Sequence, residues 1–227
     1  MSVKFDHPPM PATAFHLPIW FDLGATFAFA LTGALAAIRR GYDIVGVFFL
    51  ALVSSIGGGL IRDGVFIPSA SPMPLLTDPR YIELIVAATI AGALFGGHVK
   101  KFHRLIAVID ALGLGAYAAF GTQKALVAGL AVPAAILVGV INAAGGGLLR
   151  DVITRQEPLV FKPGQFYVLT ALAGAVVFVF LTVEIEVEAT LAALAAIGAT
   201  FVFRALTIVF NWRTTPVGAP GEGDLTP

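Results

Sequence analysis

The sequence predicts an all-α integral membrane protein whose seven transmembrane helices form two inverted three-helix repeats plus one extra helix. Of its 227 residues, 58% are hydrophobic and 12% are charged, whereas a soluble domain carries roughly 25% charged residues. The chain contains seven apolar segments, each close to the roughly 20 residues that cross a bilayer as a helix. One sequence motif, Gly-Gly-Gly followed by two apolar residues and Arg-Asp, occurs at residues 57–63 and again at 145–151. Together these observations favour a membrane fold built from a repeat.

The seven segments follow one another with short connections that contain charged residues, glycine or proline. We predict the spans Ile19–Ile38, Ile44–Ile61, Tyr81–Gly97, Leu105–Val127, Val132–Leu149, Phe166–Val183 and Ala189–Phe210. They divide the chain into an N-terminal tail (1–18), a first repeat (19–99), a second repeat (104–183), a seventh helix (189–210) and a C-terminal tail (211–227). The C-terminal tail is rich in Pro, Gly and Thr, a composition typical of disorder.

Composition excludes several classes of function. The net charge is zero, so the chain lacks the basic surface that binds nucleic acid. It contains no cysteine, which excludes disulfides and thiolate metal sites. Its four histidines, at positions 7, 16, 98 and 103, lack the spacing of metal ligands. No phosphate-binding loop or Ser-His-Asp set can be assigned, so we expect no enzyme, no metal site and no cofactor.

Basic residues in the short connections predict the orientation in the membrane. Nine Lys and Arg residues follow the first, third, fifth and seventh spans, against four on the opposite side, which also carries Glu184, Glu186 and Glu188. This distribution places the N-terminus outside and the C-terminus in the cytoplasm. We therefore expect a multi-pass protein of the plasma (inner) membrane of a prokaryote.

The repeated motif belongs to a longer internal repeat. Residues 22–63 align with residues 110–151 without a gap at an offset of 88, and 12 of the 42 positions are identical. Each repeat contains three spans, and because three is odd, the second copy enters the membrane from the opposite side. The two units are therefore predicted to be inverted repeats, which commonly place a solute path at their interface.

The glycine triplets Gly57–Gly59 and Gly145–Gly147 lie near the ends of the second and fifth spans. Each glycine weakens a helix by about 1 kcal/mol relative to Ala. We predict that both helices are broken or bent there, and that freed carbonyl oxygens line a cation path. The alternative is close helix packing, which small residues favour in membranes. Because the triplet occurs twice at equivalent places, we favour a functional hinge.

Charged residues follow both triplets: Arg62 and Asp63 in the first repeat, Arg150 and Asp151 in the second. A charge at membrane depth is costly unless it faces protein or water. We predict a pore or gate role for these four residues, with the two carboxylates attracting cations. The alternative is an interfacial anchor, in which the arginine side chains extend to the lipid headgroups.

Two further acids, Asp22 and Asp110, stand near the starts of the first and fourth spans. One interpretation is a helix cap or first-turn acid, which the helix dipole favours. The other pairs Asp22 with Arg62 and Asp110 with Arg150. Each repeat would then hold its own Asp–Arg pair near one mouth of the path, which fixes the bent helix and keeps the arginine out of the pore.

Polar residues also stand inside the spans. Ser54 and Asn142 occupy equivalent positions three residues before the triplets and are predicted to line the path, although a serine in a membrane helix often bonds its own backbone. Lys124, near the end of the fourth span, either extends to the surface or acts as a positive valve. Arg204, inside the seventh span, either contacts an acid such as Glu83 or extends to the cytoplasmic side.

These features together resemble the trimeric intracellular cation (TRIC) channel family, in its prokaryotic branch. The resemblance covers residues 19–210 and rests on two three-helix units, each with Gly-Gly-Gly-x-x-Arg-Asp, followed by one extra helix. It implies a homotrimer with one pore per protomer and hinges at both glycine triplets. The animal members carry a Lys-Glu-Val motif on the fourth helix that engages phosphoinositide. Here that region reads Gln123-Lys124-Ala125, without the Glu and the Val.

The resemblance implies a monovalent cation channel. Its expected partners are permeating potassium or sodium ions, membrane lipid and further copies of the same chain. Some bacterial relatives are thought to move small amino acids such as glycine, so a secondary transporter for a small zwitterion is the alternative. Both functions use discontinuous helices at a repeat interface, and both therefore stay open at this point.

Overall fold

The computed structural model describes residues 17–67, 74–96, 103–162 and 166–212. Within these ranges the chain forms eight α-helices and two π-helical turns. The helices are α1 (Trp20–Arg39), α2 (Ile44–Ile61), α3 (Pro74–Thr77), α4 (Pro79–Phe95), α5 (His103–Val127), α6 (Val132–Ile153), α7 (Tyr167–Val179) and α8 (Ala189–Val209). The π-helical turns, Arg62–Phe66 and Phe180–Glu184, continue α2 and α7.

The seven long helices confirm the predicted all-α membrane fold. Six helical spans are long and apolar enough to cross a membrane, and α4, with 17 residues, is the shorter seventh. The second span has the predicted bounds, whereas α6 continues past the predicted end at Leu149 to Ile153. The short helix α3 lies in a proline-rich segment that sequence patterns assign to a loop. The predicted tails lie outside the described residues, apart from positions 17–18 and 211–212.

Each repeat is a three-helix unit, and the two units pack against each other through their first two helices. Helices α1, α2 and α4 form the first unit, α5, α6 and α7 form the second, and α8 packs on α5 and α7. The rings of Phe29 and Tyr117, at equivalent positions of the two repeats, stack with 5.3 Å between their centroids. Equivalent residues meet only close to a two-fold axis, so this contact lies near the pseudo-axis that relates the repeats.

The repeats also share the way in which their first helices end. Helices α1 and α5 are both followed by a glycine with positive φ, 74° for Gly41 and 83° for Gly129. In both places the next amide donates to the carbonyl oxygen five residues earlier, at 3.2 and 3.0 Å. This is the Schellman arrangement, which glycine adopts without steric cost. The two connections therefore turn the chain by the same local device.

Carboxylates cap two helices at the ends of the bundle. Asp78 accepts a hydrogen bond from the Arg80 amide at 3.0 Å, and Glu188 accepts from the Thr190 and Leu191 amides. The Arg80 side chain, which also bonds Asp78, lowers the pKa of that carboxyl. Hydrogen bonds from Thr190 lower the pKa of Glu188. Both carboxylates are therefore ionised at neutral pH, the form that caps a helix best.

Helices α2 and α6 cross where their glycine triplets meet. A Cβ on Gly58 would overlap the carbonyl oxygen of Asn142, and a Cβ on Gly146 would overlap the carbonyl oxygen of Ser54. Each glycine therefore directs a Cα hydrogen at a carbonyl oxygen of the opposite helix, a weak hydrogen bond that recurs at close helix contacts. The two contacts are equivalent, because each residue of one pair lies 88 positions from its counterpart in the other.

The predicted break at the triplets is wrong. Helix α2 is α-helical from Ile44 to Ile61 and α6 from Val132 to Ile153, so the carbonyls expected to be freed lie within regular helix. Close packing offsets the low helix propensity of glycine. The irregular backbone begins just after α2, in the π-helical turn Arg62–Phe66. That the triplets bend as hinges during function stays a prediction.

Replacing Gly58 with Ala should destabilise the protein, because α2 and α6 must separate to admit the methyl group. We expect a cost of about 1–3 kcal/mol or more, measured as a lower midpoint of thermal unfolding in detergent. Gly24→Ala and Gly198→Ala are matched controls, because a Cβ at either position meets nothing within 4 Å. The controls should leave the midpoint unchanged or raise it, and an unchanged midpoint for Gly58→Ala would contradict the close crossing.

Candidate functional site

Arg62 and Asp63, directly after α2, form an ion pair with each other. The Nε and Nη2 atoms of Arg62 donate to the two carboxylate oxygens of Asp63, at 2.6 and 2.7 Å. This bidentate geometry is the strong form of a charge-assisted hydrogen bond. Arg62 is 3% exposed, so the Asp63 carboxylate neutralises a guanidinium that has been removed from water.

Lys124 of α5 joins this pair from the second repeat. Its Nζ lies 2.9 Å from Asp63 Oδ2, and its side chain is 33% exposed. The Arg62 guanidinium also lies over the ring of Phe120, 5.5 Å from the centroid, a cation–π contact. Lys124 is therefore paired with Asp63 rather than extended to the membrane surface. Both contacts join the end of α2 to the opposite repeat.

Asp22 is buried beside this pair but is bonded to another residue. The Tyr81 hydroxyl of α4 donates to the Asp22 carboxylate. The ion pairs of the described residues do not include Asp22 with Arg62, so the predicted direct pair is wrong. The reason is that Arg62 binds its own neighbour and leaves Asp22 to Tyr81. We call Asp22, Arg62, Asp63, Tyr81 and Lys124 the first cluster.

The equivalent residues at the other end of the bundle make looser contacts. Arg150 Nε donates to Asp151 Oδ1 at 3.0 Å, and Arg150 Nη1 lies 3.9 Å from Asp110 Oδ1. The predicted pair of Asp110 and Arg150 is therefore present. Asp151 also accepts a hydrogen bond from the Leu159 amide at 3.2 Å, which attaches the segment after α6 to this end of the helix.

Helices α7 and α8 each add one residue here. The Arg204 guanidinium lies over the Tyr167 ring, 5.2 Å from its centroid, so this buried arginine faces the interior of the bundle. The Tyr167 hydroxyl interacts with Asp110 but has no partner at full hydrogen-bond geometry among the described residues. Like Tyr81, it lies on the third helix of its unit and interacts with the acid of the first helix. We call Asp110, Arg150, Asp151, Tyr167 and Arg204 the second cluster.

Asn142, at the crossing of α2 and α6, links Arg62 to the second repeat. Its Oδ1 accepts from Arg62 Nη1 at 3.1 Å, and its Nδ2 donates to the Tyr117 carbonyl at 2.8 Å. The equivalent residue, Ser54, is equally buried, but its hydroxyl has no hydrogen-bond partner in the described part of the chain. The two equivalent positions therefore differ in what they bind.

Thr32 of α1 links the other arginine to the first repeat. Its Oγ1 accepts from Arg150 Nη1 at 3.4 Å and donates to the carbonyl of Phe29 at 3.0 Å. Phe29 is the counterpart of Tyr117 in the repeat. Each arginine is thus connected, through one polar side chain of the opposite repeat, to the same backbone carbonyl position.

Two cavities lie at the two clusters. The larger, about 550 Å³, is lined by the charged residues of the second cluster together with Arg39 and Lys162. The smaller, about 40 Å³, is lined by members of the first cluster and by Ser55. The crossing of α2 and α6 lies between them. Among the described residues, no group of three or more His, Asp or Glu side chains could hold a metal ion.

Sequence reasoning missed Tyr81, Tyr117, Tyr167 and Thr32. The chain has four tyrosines, and these three are buried within helices. Tyrosine in membrane proteins is typical of the interface with water, and a buried hydroxyl needs a partner, so the mid-span position of Tyr117 was a usable signal. Tyr81 and Tyr167 stand at the starts of α4 and α7, where a tyrosine is ordinary. Thr32 carried no such signal, because threonine in a membrane helix commonly bonds only its own backbone.

One family model matches the chain twice. The family described as Glycine transporter matches residues 19–97 and again residues 107–183, which together exceed half of the chain. The chain belongs to the Glycine transporter family. The two matched segments begin 88 positions apart (107 − 19), the offset of the internal repeat, so each repeat corresponds to one unit of the family.

Relatives of this Glycine transporter family member are bacterial membrane proteins. It is 32% identical to the UPF0126 membrane protein of Deinococcus radiodurans over 157 residues, which are 69% of this chain and 72% of the relative. It is 34% identical to the UPF0126 membrane protein of Vibrio cholerae over 156 residues, which are 68% of this chain and 64% of that relative. With its apolar helices, the chain is a multi-pass membrane protein of bacteria.

Solved structures with a similar fold are cation channels. The TRIC trimeric intracellular cation channel orthologue from Rhodobacter sphaeroides has a TM-score of 0.78 and 32% identity, covering 85% of this chain and 97% of that chain. A second solved structure, which addresses the structural basis for conductance through TRIC cation channels, has a TM-score of 0.78 and 28% identity. The match covers 91% of this chain and 100% of that chain. The resemblance of this Glycine transporter family member to prokaryotic TRIC channels is confirmed. These neighbours also confirm the prediction that it is not an enzyme.

Replacing Asp63 with Asn should destabilise this family member by about 3 kcal/mol or more, because a buried Arg62 charge would lose its carboxylate. Lys124→Gln is the matched control, since it removes the partly exposed partner of the same carboxylate and should cost less than about 1 kcal/mol. Unfolding in detergent measures both. Equal losses from the two substitutions would show that Arg62 is not the partner that depends on Asp63.

Proposed function

We propose that the protein conducts monovalent cations, potassium or sodium, passively across the membrane, with one path per protomer between the inverted repeats. The observation that carries this proposal is the pair of charged clusters, one at each end of the α2–α6 crossing and each beside a cavity. Buried charge in a membrane protein is costly and typically marks an ion or solute pathway. The similar fold of the TRIC cation channels supports cations as the permeating species.

The first cluster closes the path in the described arrangement. Asp63 is the acid best placed to attract a cation, but its oxygens already bind Arg62 and Lys124. A cation can bind Asp63 only after one of these charges moves away, because like charges repel at such distances. Lys124 is the more exposed and weaker partner. We therefore assign it the role of a positive valve.

The rest of the path runs past the crossing to the second cluster. Ser54 and Asn142 flank the crossing and supply a hydroxyl and an amide, and Asp110 and Asp151 supply carboxylates at the larger cavity. Oxygen ligands of these kinds replace part of the hydration shell of a cation. The glycine triplets, with the π-helical turn Arg62–Phe66, serve as the hinge that widens the path.

A secondary transporter for a small zwitterion such as glycine is the second candidate. The description of the family as Glycine transporter favours it. Each cluster also combines carboxylates with guanidinium groups, which suit the ammonium and the carboxylate of an amino acid, respectively. A transporter and a channel differ in whether both ends of the path open together, so functional measurements separate them.

We further propose a homotrimer in contact with membrane lipid, with its N-terminus outside and its C-terminus in the cytoplasm. The Rhodobacter sphaeroides structure is described as trimeric, which supports the assembly. Arg39 and Lys162 line the cavity of the second cluster, and the excess of basic residues in the connections on that side supports its cytoplasmic position. In this orientation the first cluster is at the outer end and the second cluster at the inner end.

Purified protein in planar bilayers should give unitary currents that reverse at the potassium equilibrium potential. Lys124→Gln should raise the unitary current by up to about fivefold, the effect of about 1 kcal/mol of Coulomb repulsion in a water-filled mouth. Electrically silent protein that takes up labelled glycine into liposomes would overturn the channel and support the second candidate.

The orientation can be tested separately because the chain contains no cysteine. Arg40→Cys lies between α1 and α2, and Glu186→Cys lies between α7 and α8; both positions are exposed. An impermeant thiol reagent added to intact cells should label Glu186→Cys, and should label Arg40→Cys only after the membrane is permeabilised. The reverse pattern would invert the orientation and leave the proposed conduction intact.

A further inference from the structure

The arginine of each Gly-Gly-Gly-x-x-Arg-Asp motif begins a chain of two hydrogen bonds that ends in the opposite repeat. We name these chains the outer clamp and the inner clamp, and their members are, respectively, Arg62–Asn142–Tyr117 and Arg150–Thr32–Phe29. The two arginines are equivalent positions of the repeat. The two residues whose carbonyl oxygens accept the last bond are also equivalent, because they lie 88 positions apart.

The middle residues of the two clamps are not equivalent. Asn142 corresponds to Ser54, and Thr32 corresponds to Phe120, whose ring lies against Arg62. The chain thus connects each arginine to the same carbonyl position by a different side chain. The shared result is the position of the arginine, so we regard that position as the property that the clamps control.

The outer clamp is tight and the inner clamp is loose. Arg62 makes two bonds to Asp63, at 2.6 and 2.7 Å, and bonds Asn142 at 3.1 Å. Arg150 makes a single bond to its neighbouring Asp at 3.0 Å and bonds Thr32 at 3.4 Å. The cavities differ in the same sense, about 40 Å³ at the outer end against about 550 Å³ at the inner end. In the proposed orientation, the described arrangement is therefore tight at its outer end and holds its larger cavity at its inner end.

We propose that Thr32 and Asn142 are the positioning residues of two equivalent clamps, which close opposite ends of the path in alternation. Inverted repeats can exchange conformations, because each unit contains the same helices in the opposite orientation. In the exchanged arrangement the inner clamp tightens around Arg150 and the outer clamp releases Arg62. This inference rests on the proposed path between the repeats but not on the identity of the solute. A channel conducts while both clamps are released between the two closures, whereas a transporter never releases both clamps together.

The hydroxyl of Ser54 supports this exchange. It is buried and has no hydrogen-bond partner among the described residues. Arg150 stands one helical turn after Gly146, which packs on the Ser54 backbone, and helical side chains lean back toward the N-terminus of their helix. Arg62 reaches Asn142 by the same geometry. Ser54 is thus the place where Arg150 finds a further acceptor when the inner end closes.

The two clamps should respond to substitution in opposite directions. Losing the amide of Asn142 weakens the outer closure and favours the arrangement that is open outside. Losing the hydroxyl of Thr32 weakens the inner closure and favours the described arrangement. A hydrogen bond to a charged group corresponds to a change of about tenfold or more in such an equilibrium. General loosening of the bundle would instead shift both variants in the same direction.

Accessibility of introduced cysteines tests the alternation, because the natural chain has none. Ser55→Cys reports on the outer cavity, and Ala36→Cys reports on the inner cavity. Each probe is combined with Asn142→Ala or Thr32→Val in reconstituted vesicles of known sidedness, and labelling by an impermeant cationic thiol reagent is timed from each side. Thr122→Val is the matched control, since Thr122 bonds a backbone carbonyl of its own helix at 2.8 Å. Thr32→Ser keeps the hydroxyl and should behave as the unsubstituted chain.

We expect Asn142→Ala to speed outside labelling of Ser55→Cys about tenfold and Thr32→Val to slow it by a similar factor. Ala36→Cys should change in the opposite sense from the inside. Changes of the same sign in both variants, or a Thr32→Val effect no larger than that of Thr122→Val, would overturn the alternation. If neither probe reacts from either side, the proposed path between the repeats is contradicted. Opposite changes without cation current would support the clamps and contradict the channel.

Discussion

The structure depends on one backbone contact, the crossing of α2 and α6 at their glycine triplets. Gly58 and Gly146 bring each helix against a carbonyl oxygen of the other, at a separation that a single methyl group would prevent. The arginine of each motif follows the central glycine, Gly58 or Gly146, by four residues, which is one turn along the same face of the helix. The crossing therefore delivers the two guanidinium groups to opposite ends of the same interface. A wider crossing would separate Arg62 from Asn142 and leave a buried cation without its amide.

Charge in this apolar bundle is managed locally. Each arginine binds the carboxylate that follows it in sequence. The charges within each motif therefore nearly cancel without any contribution from another helix. Such neutral pairs lower the cost of placing charge at membrane depth. The remaining acids then bind hydroxyls or distant cations, as Asp22 binds Tyr81. Function then requires only that a pair be loosened, since the cost of burying its members has already been offset.

The fold could be derived from the sequence because span length, parity and a gapless repeat are properties of the whole chain. The contacts within the site were harder to predict from the sequence than the fold. Helix propensity suggested a break at Gly57–Gly59, but propensity is a weak effect beside close packing, and the helix continues. The pairing of Asp22 with Arg62 seemed natural from their shared end of the bundle, but the Arg62 guanidinium binds the next residue, Asp63. The partners of Thr32 depend on which helices meet, which no local pattern encodes.

The crossing is made by carbonyl oxygens, and this has a consequence for how the two halves of the molecule can evolve. Because Gly58 and Gly146 contact the backbones of Asn142 and Ser54, these two close contacts do not depend on which side chains stand at positions 54 and 142. After a duplication that produced two identical halves, a change of side chain at position 54 or 142 would keep these backbone contacts, whereas a change at either glycine would not. A symmetric ancestor could thus acquire two unlike ends through single substitutions at its centre, with the backbone crossing retained.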